Sequence, residues 1–290
     1  MKILVSTDSS CLVNNEMLKK YEISVFPLNV IIDGEEFLDG VTINQDQLCE
    51  AMRGKKVIKT STPGYGTVIE YFDNLFSKGY DHIIHFTISS KLSSMFNLFT
   101  SIAEENYKGK LTVVDSLAVA AIMLGHVMYT YDEVLKGSSI DSILKQIEKR
   151  KEAEAVYFIP ENLNALKAGG RVSPTIAAIA NTIGIKPIII LKNGSLEKDK
   201  MIKNVKHALS DLMEEFKTTY PVTDFDYSLI DFDAKESTVD YLMEKADEIL
   251  GKDVLFKSIL PINVCAHCGP GTIGLVVSPK VNGKSLKDYM

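Results

Sequence analysis

The feature that most constrains this chain is a regular alternation, in its first half, of short apolar runs with longer amphipathic stretches. Residues 2–7, 82–86 and 111–114 are predicted to be buried strands, and a stretch with helical spacing follows each of them. In residues 67–78 the apolar side chains recur at helical intervals, which predicts a helix before the second of these strands. A βα alternation of this kind predicts an α/β fold with a mostly parallel sheet and helices on both faces.

The chain is expected to form two domains. Its 290 residues exceed the length at which a single hydrophobic core stops growing. A helical stretch at residues 140–150 ends in a run of charges, and we place the boundary there, which gives domains of residues 1–152 and 153–290. The second half mixes predicted strands with helices, which indicates an α/β domain built on a mixed sheet.

Three local patterns make specific predictions. Residues 23–32 are predicted to form one strand, ended by a tight turn at Asp33-Gly34. Asn44 and Gln47 have the spacing of a capping box, which predicts a helix that runs to about Arg53. Residues 254–262 are predicted to form a strand, so the residues that follow it are expected in a loop.

Charge and cysteine content exclude several classes of protein. The net charge of −6, without a long run of like charges, argues against nucleic acid or an anionic membrane surface as the main partner. The first apolar run is too short for a signal peptide, and the apolar stretch at residues 176–191 is interrupted by Asn181, Lys186 and Pro187. Four cysteines in a chain of this length do not make a disulfide scaffold. We therefore expect a cytoplasmic protein with reduced thiols.

Hydroxyl-bearing residues recur where predicted strands end. In an open α/β sheet, ligands bind beyond the carboxyl ends of the strands. The segments concerned are Thr7-Asp8-Ser9-Ser10, Thr60-Ser61-Thr62, Ser89-Ser90, Ser93-Ser94 and Asp115-Ser116. Serine and threonine also cap helices, which explains part of the pattern. Hydroxyls combined with helix N-termini favour an anion site.

A glycine pattern near the end of the chain resembles a dinucleotide-binding fingerprint. Gly269, Gly271 and Gly274 have the spacing, but strand-like residues 275–277 follow where that motif needs a helix. We therefore interpret these glycines as positions that need a positive φ or a close backbone approach.

Two polar side chains and a cysteine pair precede or follow tight turns. His267 is expected to be exposed in a loop after a strand, and Gly169-Gly170 is predicted to present Arg171. Cys265 and Cys268 form a CxxC pair, which we interpret as two small buried residues beside a functional His267, with a metal or redox site as an alternative. No Gly-x-Ser-x-Gly elbow is present, and a Ser–His–Asp set assembled in three dimensions stays open.

Taken in order, these segments resemble the DegV family across essentially the whole chain. The resemblance is carried by Thr7-Asp8-Ser9-Ser10, Lys59-Thr60-Ser61-x-Pro63, Ile88-Ser89-Ser90-Lys91-Leu92-Ser93, Val114-Asp115-Ser116, Leu163 with Gly169-Gly170-Arg171, Lys186-Pro187 and His267-Cys268-Gly269-Pro270-Gly271.

The resemblance implies a two-domain, DegV-like fold that buries one long-chain fatty acid. It implies that the carboxylate is bound by hydroxyls of loops, which here are Thr60, Ser61 and Ser93. Arg171, His267 and Gly269 would lie at the mouth. The supporting loop residues would be Asp8, Ser9, Ser90, Ser94, Asp115 and Ser116. The tunnel for the acyl chain is expected to include Ile176, Ile179, Ile183 and Ile188.

Members of the family present the carboxylate to an ATP-dependent fatty acid kinase, so the resemblance implies a carrier without a catalytic set, cofactor or metal of its own. The arginine that the family commonly has after the strand near Leu191 aligns with Ile202, between Lys200 and Lys203. The use of a kinase partner therefore stays open. The alternative is a small-molecule enzyme that uses His267 and the serine loops on a carbonyl or phosphorylated substrate.

Overall fold

The computed structural model of the chain describes residues 1–171, 176 and 184–290. In these residues the strands are β1 Ile3–Asp8, β2 Ile23–Phe26, β3 Asn29–Ile32, β4 Glu35–Leu38, β5 Ile58–Ser61, β6 His82–Thr87, β7 Leu111–Asp115, β8 Ala155–Ile159, β9 Lys186–Lys192, β10 Ser195–Ile202, β11 Phe225–Phe232, β12 Leu255–Ser258 and β13 Thr272–Pro279. The helices are α1 Asn15–Lys20, α2 Gln45–Arg53, α3 Tyr65–Ser77, α4 Met95–Asn106, α5 Ala120–Leu135, α6 Ile140–Lys151, α7 Asn164–Ala168, α8 Val205–Thr219, α9 Glu236–Ile249 and α10 Ile262–Cys268. A short 3₁₀ helix, Leu286–Asp288, follows them.

The strands form three sheets. Four of them make the predicted parallel sheet, in the order β2-β1-β6-β7. A small antiparallel sheet has the order β4-β3-β5. The C-terminal sheet has the order β10-β9-β8-β13-β11-β12 and is mixed, because β11 and β12 are parallel while their neighbours pair antiparallel. The α/β class with a parallel N-terminal sheet and a mixed C-terminal sheet is confirmed.

Two local predictions of the first half are confirmed. The side chain of Asn44 accepts a hydrogen bond from the backbone of Gln47, whose own side chain accepts one from the backbone of Asn44, so α2 starts with a capping box. Asp33 and Gly34 both have positive φ and join β3 to β4, as a two-residue hairpin turn requires.

The prediction of one strand at residues 23–32 is wrong. Pro27 interrupts it, since proline has no N–H to continue a ladder of hydrogen bonds. The chain changes sheet there, so β2 pairs with β1 while β3 pairs with β4 and β5. This change of sheet places β3 in the small sheet, where it pairs with β5, which has Thr60 and Ser61 at its end.

The prediction of a strand at residues 254–262 is also wrong in its second half. The strand β12 ends at Ser258, and helix α10 begins at Ile262 directly after Pro261. Proline with its fixed φ is well suited to the start of a helix. The residues expected in a loop, among them Cys265 and His267, therefore lie on a helix.

The buried side chains form three clusters. One lies between the parallel sheet and the helices α3 and α4, and includes Phe72 and Phe99. A second packs α8 and α9 against the mixed sheet. The third runs from Val5 on β1 through α5 to Phe158 on β8. Because this cluster contains residues from both sides of position 152, the proposed domain boundary between α6 and β8 stays a prediction.

Candidate functional site

A cavity lies between the small sheet, the start of α4, strand β8 and helix α10. It encloses about 1000 Å³ of empty space, including its opening to solvent. Most of its lining is apolar and comes from many elements, for example Leu28, Met95, Val119, Phe158 and Leu260. The polar residues of the lining are Thr60, Ser61, Thr62, Ser93, Arg171, Asn263, His267 and Thr272. An apolar interior with few polar groups suits a ligand that is mostly hydrocarbon with one polar end.

Thr60 and His267 form the central contact of the polar group. Oγ1 of Thr60 lies 2.9 Å from Nε2 of His267, so the end of β5 touches α10. His267 is largely buried, and burial, reinforced by the positive charge of Arg171, lowers its pKa to about 4. The imidazole is therefore neutral at neutral pH, and its interaction with a bound anion is that of a hydrogen-bonding group.

His267 was expected to be exposed in a loop, and that expectation is wrong. It lies in the last turn of α10 and is packed against Gly169, where a Cβ would overlap Nδ1 of the imidazole. The backbone does not require glycine here, because its φ of −73° is one that any residue adopts. Glycine is needed because the imidazole leaves no room for a side chain. Gly169 therefore fixes the position of His267 from the side opposite Thr60.

The hydroxyl of Ser61 has no partner among the described residues, although it is buried in the cavity lining. A buried hydroxyl without a hydrogen bond costs free energy on the order of 1–3 kcal/mol. A ligand that accepts a hydrogen bond at this position recovers that cost. The unpaired Oγ of Ser61 therefore marks where a polar ligand group fits.

Ser93 approaches the same polar group from the start of α4. It lines the cavity, and its Oγ lies 3.4 Å from the backbone nitrogen of Met95, the first residue of the helix. The neighbouring Ser94 contacts Thr62 through their hydroxyls at 2.9 Å, which connects α4 to the end of β5. The helix N-terminus adds a partial positive charge to this region.

Arg171 provides the positive charge of the cavity. Its guanidinium donates to the backbone carbonyls of Leu92, at 3.3 Å, and of Gly169. Both partners are neutral, and among the described residues no carboxylate forms an ion pair with Arg171. Its charge is therefore held in place and available to an anion.

The glycines after α10 have the conformations that their interpretation requires. Gly269 and Gly271 have φ of 79° and 85°, which other residues rarely adopt. Gly274 lies on β13 with the backbone of Tyr157 so close that a Cβ would overlap it. Gly269 and Gly271 shape the turn that connects α10 to β13.

The residues predicted to support the site do not line this cavity, and most of them form hydrogen bonds within or between neighbouring loops. Asp8 accepts from the backbone nitrogens of Ser10, at 2.8 Å, and Ile88, at 2.7 Å, and burial raises its pKa to about 6. Ser9 donates to Asp39, whose pKa burial also raises to about 6. These contacts join the ends of β1 and β6 and set the positions of the loops behind the cavity.

The remaining loop residues have similar roles. Asp115 accepts from the backbone nitrogen of Ser90 at 3.0 Å. Ser116 is fully buried and exchanges hydrogen bonds with the backbone of Ala118. Oγ of Ser89 donates to the carbonyl of Gly194 at 2.8 Å and so connects this edge of the parallel sheet to the hairpin of β9 and β10.

The predicted tunnel residues are only partly described. Ile176 is fully buried in the third core cluster, and Ile188 is fully buried in the cluster of the mixed sheet, beside α8. Ile188 does not line the described part of the cavity. Ile179 and Ile183 lie outside the described residues, so the tunnel set stays a prediction.

The cysteine pair lies inside the helix α10. Burial raises the pKa of the Cys265 thiol well above its ordinary value and that of Cys268 to about 12. Both are therefore protonated thiols at neutral pH, the opposite of what a redox or metal-binding pair needs. Across the parts of the chain that the structure describes, no group of three His, Cys, Asp or Glu side chains could hold a metal ion.

Asn263 and Asp39 were not predicted as part of this region. Asn263 lines the cavity, and its backbone nitrogen donates to Asp39 at 3.0 Å. The spacing of four residues between Asn263 and His267 is the signal that could have found it, once residues 262–268 are recognised as a helix.

The chain was compared with known proteins. A family model described as "Uncharacterised protein, DegV family" matches residues 2–280. A DegV domain-containing protein of Mycoplasmopsis pulmonis is 30% identical over 275 residues, which cover 95% of this chain and 94% of that protein.

Two solved structures share the fold. A stearic acid-binding protein from Eubacterium ventriosum is similar with a TM-score of 0.83 at 25% identity, over 97% of this chain and 99% of that chain. The Fatty Acid Kinase (Fak) B3 protein of Streptococcus pneumoniae, loaded with linoleic acid, has a TM-score of 0.77 at 18% identity, over 96% and 99% of the two chains. In the described ranges of this chain, no helix has the length and apolar character that a membrane span requires.

Proposed function

This chain belongs to the DegV family, and we propose that it is a carrier that buries one long-chain fatty acid and binds the carboxylate with hydroxyls. The observation that carries the proposal is the buried hydroxyl of Ser61, which has no partner among the described residues and lies in the lining of a largely apolar cavity. The fatty acids named for the similar E. ventriosum and S. pneumoniae proteins support the same class of ligand.

The energetics agree with such a ligand. Each buried methylene contributes about 0.8 kcal/mol, so a sixteen-carbon chain gains on the order of 10 kcal/mol before immobilisation is subtracted. A buried carboxylate must be hydrogen-bonded or paired. In our proposal Ser61, Ser93 and Thr60 provide the hydrogen bonds, while Arg171 compensates the charge.

The proposed head-group site does not neutralise the ligand with a close salt bridge. Two nitrogens of the Arg171 guanidinium, Nε and Nη1, already donate to carbonyls, so in our proposal its positive charge acts from nearby without a direct ion pair. His267 is neutral at neutral pH. A carboxylate bound mainly by hydroxyls keeps an oxygen that a second protein can reach. The proposal therefore includes presentation of the carboxylate to a separate ATP-dependent kinase, with Arg171, His267 and Gly269 at the mouth.

The proposed contact with a kinase involves the surface at the end of the strand β10. Ile202 ends the strand β10, where the family commonly has an arginine, and the flanking Lys200 and Lys203 are exposed. These two lysines provide the positive charge near that position. Formation of ADP and acyl phosphate, when the loaded protein is mixed with a fatty acid kinase and ATP, tests this part separately.

The largely apolar lining does not favour the alternative of an enzyme for a small polar substrate, since such a substrate would leave most of the cavity wall without a matching partner. Cytoplasmic location remains a prediction from the cysteine content and the short first apolar run.

The experiment that tests the carrier is native mass spectrometry of protein purified from a bacterial host. We expect a bound fatty acid that organic extraction releases, and reloading after incubation of the stripped protein with palmitate or oleate. A spectrum that contains only the bare chain, before and after that incubation, contradicts the proposal.

A further inference from the structure

Asn263 is a buried polar residue of the cavity that the proposed carboxylate site does not use. It lies in the first turn of α10, four residues and therefore one helical turn before His267. The residue is only 5% exposed, and it belongs to the lining of the same cavity. An amide in this place is unexpected in a wall made mainly of aliphatic side chains.

The neighbours of Asn263 determine how its amide is oriented. Nδ2 lies 2.8 Å from Oγ of Ser10, as a donor to that hydroxyl. Ser10 is held in place by Asp8, whose carboxylate accepts from the backbone nitrogen of Ser10 at 2.8 Å. With Nδ2 donating to Ser10, the carbonyl oxygen of Asn263 is directed elsewhere.

That oxygen, Oδ1, is buried and has no hydrogen-bond partner among the described residues. It is an acceptor, so it can be satisfied only by a group that carries a proton. The hydrocarbon chain of an ordinary fatty acid has no O–H or N–H to donate. A ligand of that kind leaves Oδ1 unpaired, which weakens its binding by about tenfold relative to a ligand that supplies a donor.

We propose that the cavity prefers a long-chain acid with a hydroxyl group near its carboxyl end, and that Asn263 is the residue that selects it. The inference rests on the proposed function, because it places the carboxylate at Ser61 and Thr60. One helical turn separates Asn263 from His267 by about 6 Å, and an extended chain advances roughly 1.2 Å per bond. The hydroxyl is therefore expected within about the first six carbons.

The test compares the affinities of delipidated protein for palmitate and for isomers of palmitate hydroxylated at one of the carbons from two to six. ω-Hydroxypalmitate is the control for polarity alone. We expect one of the isomers near the carboxyl end to bind about tenfold tighter than palmitate, and ω-hydroxypalmitate to show no such gain. This comparison uses the unchanged chain and does not depend on the folding of a variant.

The variant Asn263→Leu then assigns the preference to this residue. Leucine has a similar size and no polar atom, so the variant is expected to bind palmitate several-fold tighter and to lose the preference for the hydroxy acid. Thermal unfolding monitors the integrity of the variant.

The outcomes separate the two proposals. Equal affinities for palmitate and every hydroxy isomer, or a preference that survives in folded Asn263→Leu, overturn the role of Asn263 and leave the carrier intact. A failure to bind palmitate and all its hydroxy derivatives overturns the carrier, and the inference with it.

Discussion

Oγ1 of Thr60 and Nε2 of His267 lie 2.9 Å apart although 207 residues separate them in the chain. Thr60 is next to the end of the strand β5, and His267 lies in the last turn of the helix α10. Their contact joins the small antiparallel sheet to the helix that connects the strands β12 and β13 of the mixed sheet. The polar end of the cavity exists only because these two elements meet, and the predictions below test parts of that arrangement.

The substitution Ser61→Ala should separate ligand binding from stability. Because Oγ of Ser61 is buried without a partner among the described residues, its removal relieves that penalty and should raise the free energy of unfolding by about 1–3 kcal/mol. Palmitate binding should weaken by about 1–3 kcal/mol, the loss expected for one partner of a buried polar group. Calorimetric titration and thermal unfolding measure the two quantities.

Ser94→Ala is the matched control, since its hydroxyl contacts the exposed Thr62 and does not line the cavity. Its affinity for palmitate should remain that of the unchanged chain. Equal affinities of Ser61→Ala and the unchanged chain would remove Ser61 from the site.

The substitution Gly169→Ala should displace the imidazole of His267. The new methyl group would overlap Nδ1, while the backbone itself could accept alanine without strain. We expect the Thr60–His267 contact to break and palmitate binding to weaken roughly tenfold, which corresponds to the loss of one hydrogen-bonded pair.

Gly170→Ala provides the comparison for this prediction. Its φ is +67° and no atom lies within 4 Å of its Cβ position. It should lose about 1–2 kcal/mol of stability from backbone strain and keep its affinity for palmitate. Full affinity of Gly169→Ala for palmitate would show that the position of His267 does not contribute to binding.

Stability should depend on pH through His267. Burial lowers its pKa from 6.5 to about 4 in the folded protein, so between these values the unfolded chain binds more protons. The contribution of the neutral imidazole is therefore present above pH 6.5 and is lost as the pH falls from about 6.5 to about 4. Other buried groups titrate in the same range, which makes a difference measurement necessary.

The variant His267→Gln removes this titration and keeps a polar side chain. The free energy of unfolding of the unchanged chain should fall by roughly 2–3 kcal/mol relative to the variant between pH 7 and pH 4. Denaturant titrations at a series of pH values give the difference. Parallel curves would mean that His267 titrates normally and is not buried as described.

The substitution Gly194→Ala should weaken the contact between the β9–β10 hairpin and the loop after β6. Gly194 has a φ of +80°, and a Cβ there would overlap Oγ of Ser89 and the side chain of Leu117. Gly283 has the same φ of +80° with no atom within 4 Å of its Cβ position. Gly283→Ala therefore reports the backbone strain alone.

The free energy of unfolding should fall by about 1–3 kcal/mol more in Gly194→Ala than in Gly283→Ala, because only the first substitution also overpacks a buried contact. Chemical denaturation of both variants measures the difference. Equal losses would show that the Ser89 contact contributes nothing to stability.

The parallel sheet could be predicted because local patterns specify it. The apolar run of β1 and the helical spacing of α3 are properties of consecutive residues, and the capping box at Asn44 needs only four. The two wrong strand predictions both lie near a proline. Pro27 and Pro261 each interrupt an apolar run whose composition is otherwise that of one strand.

The candidate site could be predicted only in part. The hydroxyls at strand ends indicated an anion, but which of them line the cavity could not be read from the chain. Ser61 and Ser93 line the cavity. Ser90 and Asp115 do not, and the backbone nitrogen of Ser90 donates to the carboxylate of Asp115. Asn263 was not predicted, since it directly follows the segment expected to be a strand and was itself expected in a loop.

The sequence by itself determined the order of most helices and strands, the resemblance to a family and the type of polar group available to an anion. These follow from spacing and residue chemistry within short segments. The tertiary structure decided that Thr60 meets His267, that the hydroxyl of Ser61 is buried with no partner in the described part of the chain, and that Asn263 lines the same cavity. The physical reason is that hydrogen bonding and burial depend on which distant segments pack together, and packing is a property of the whole chain.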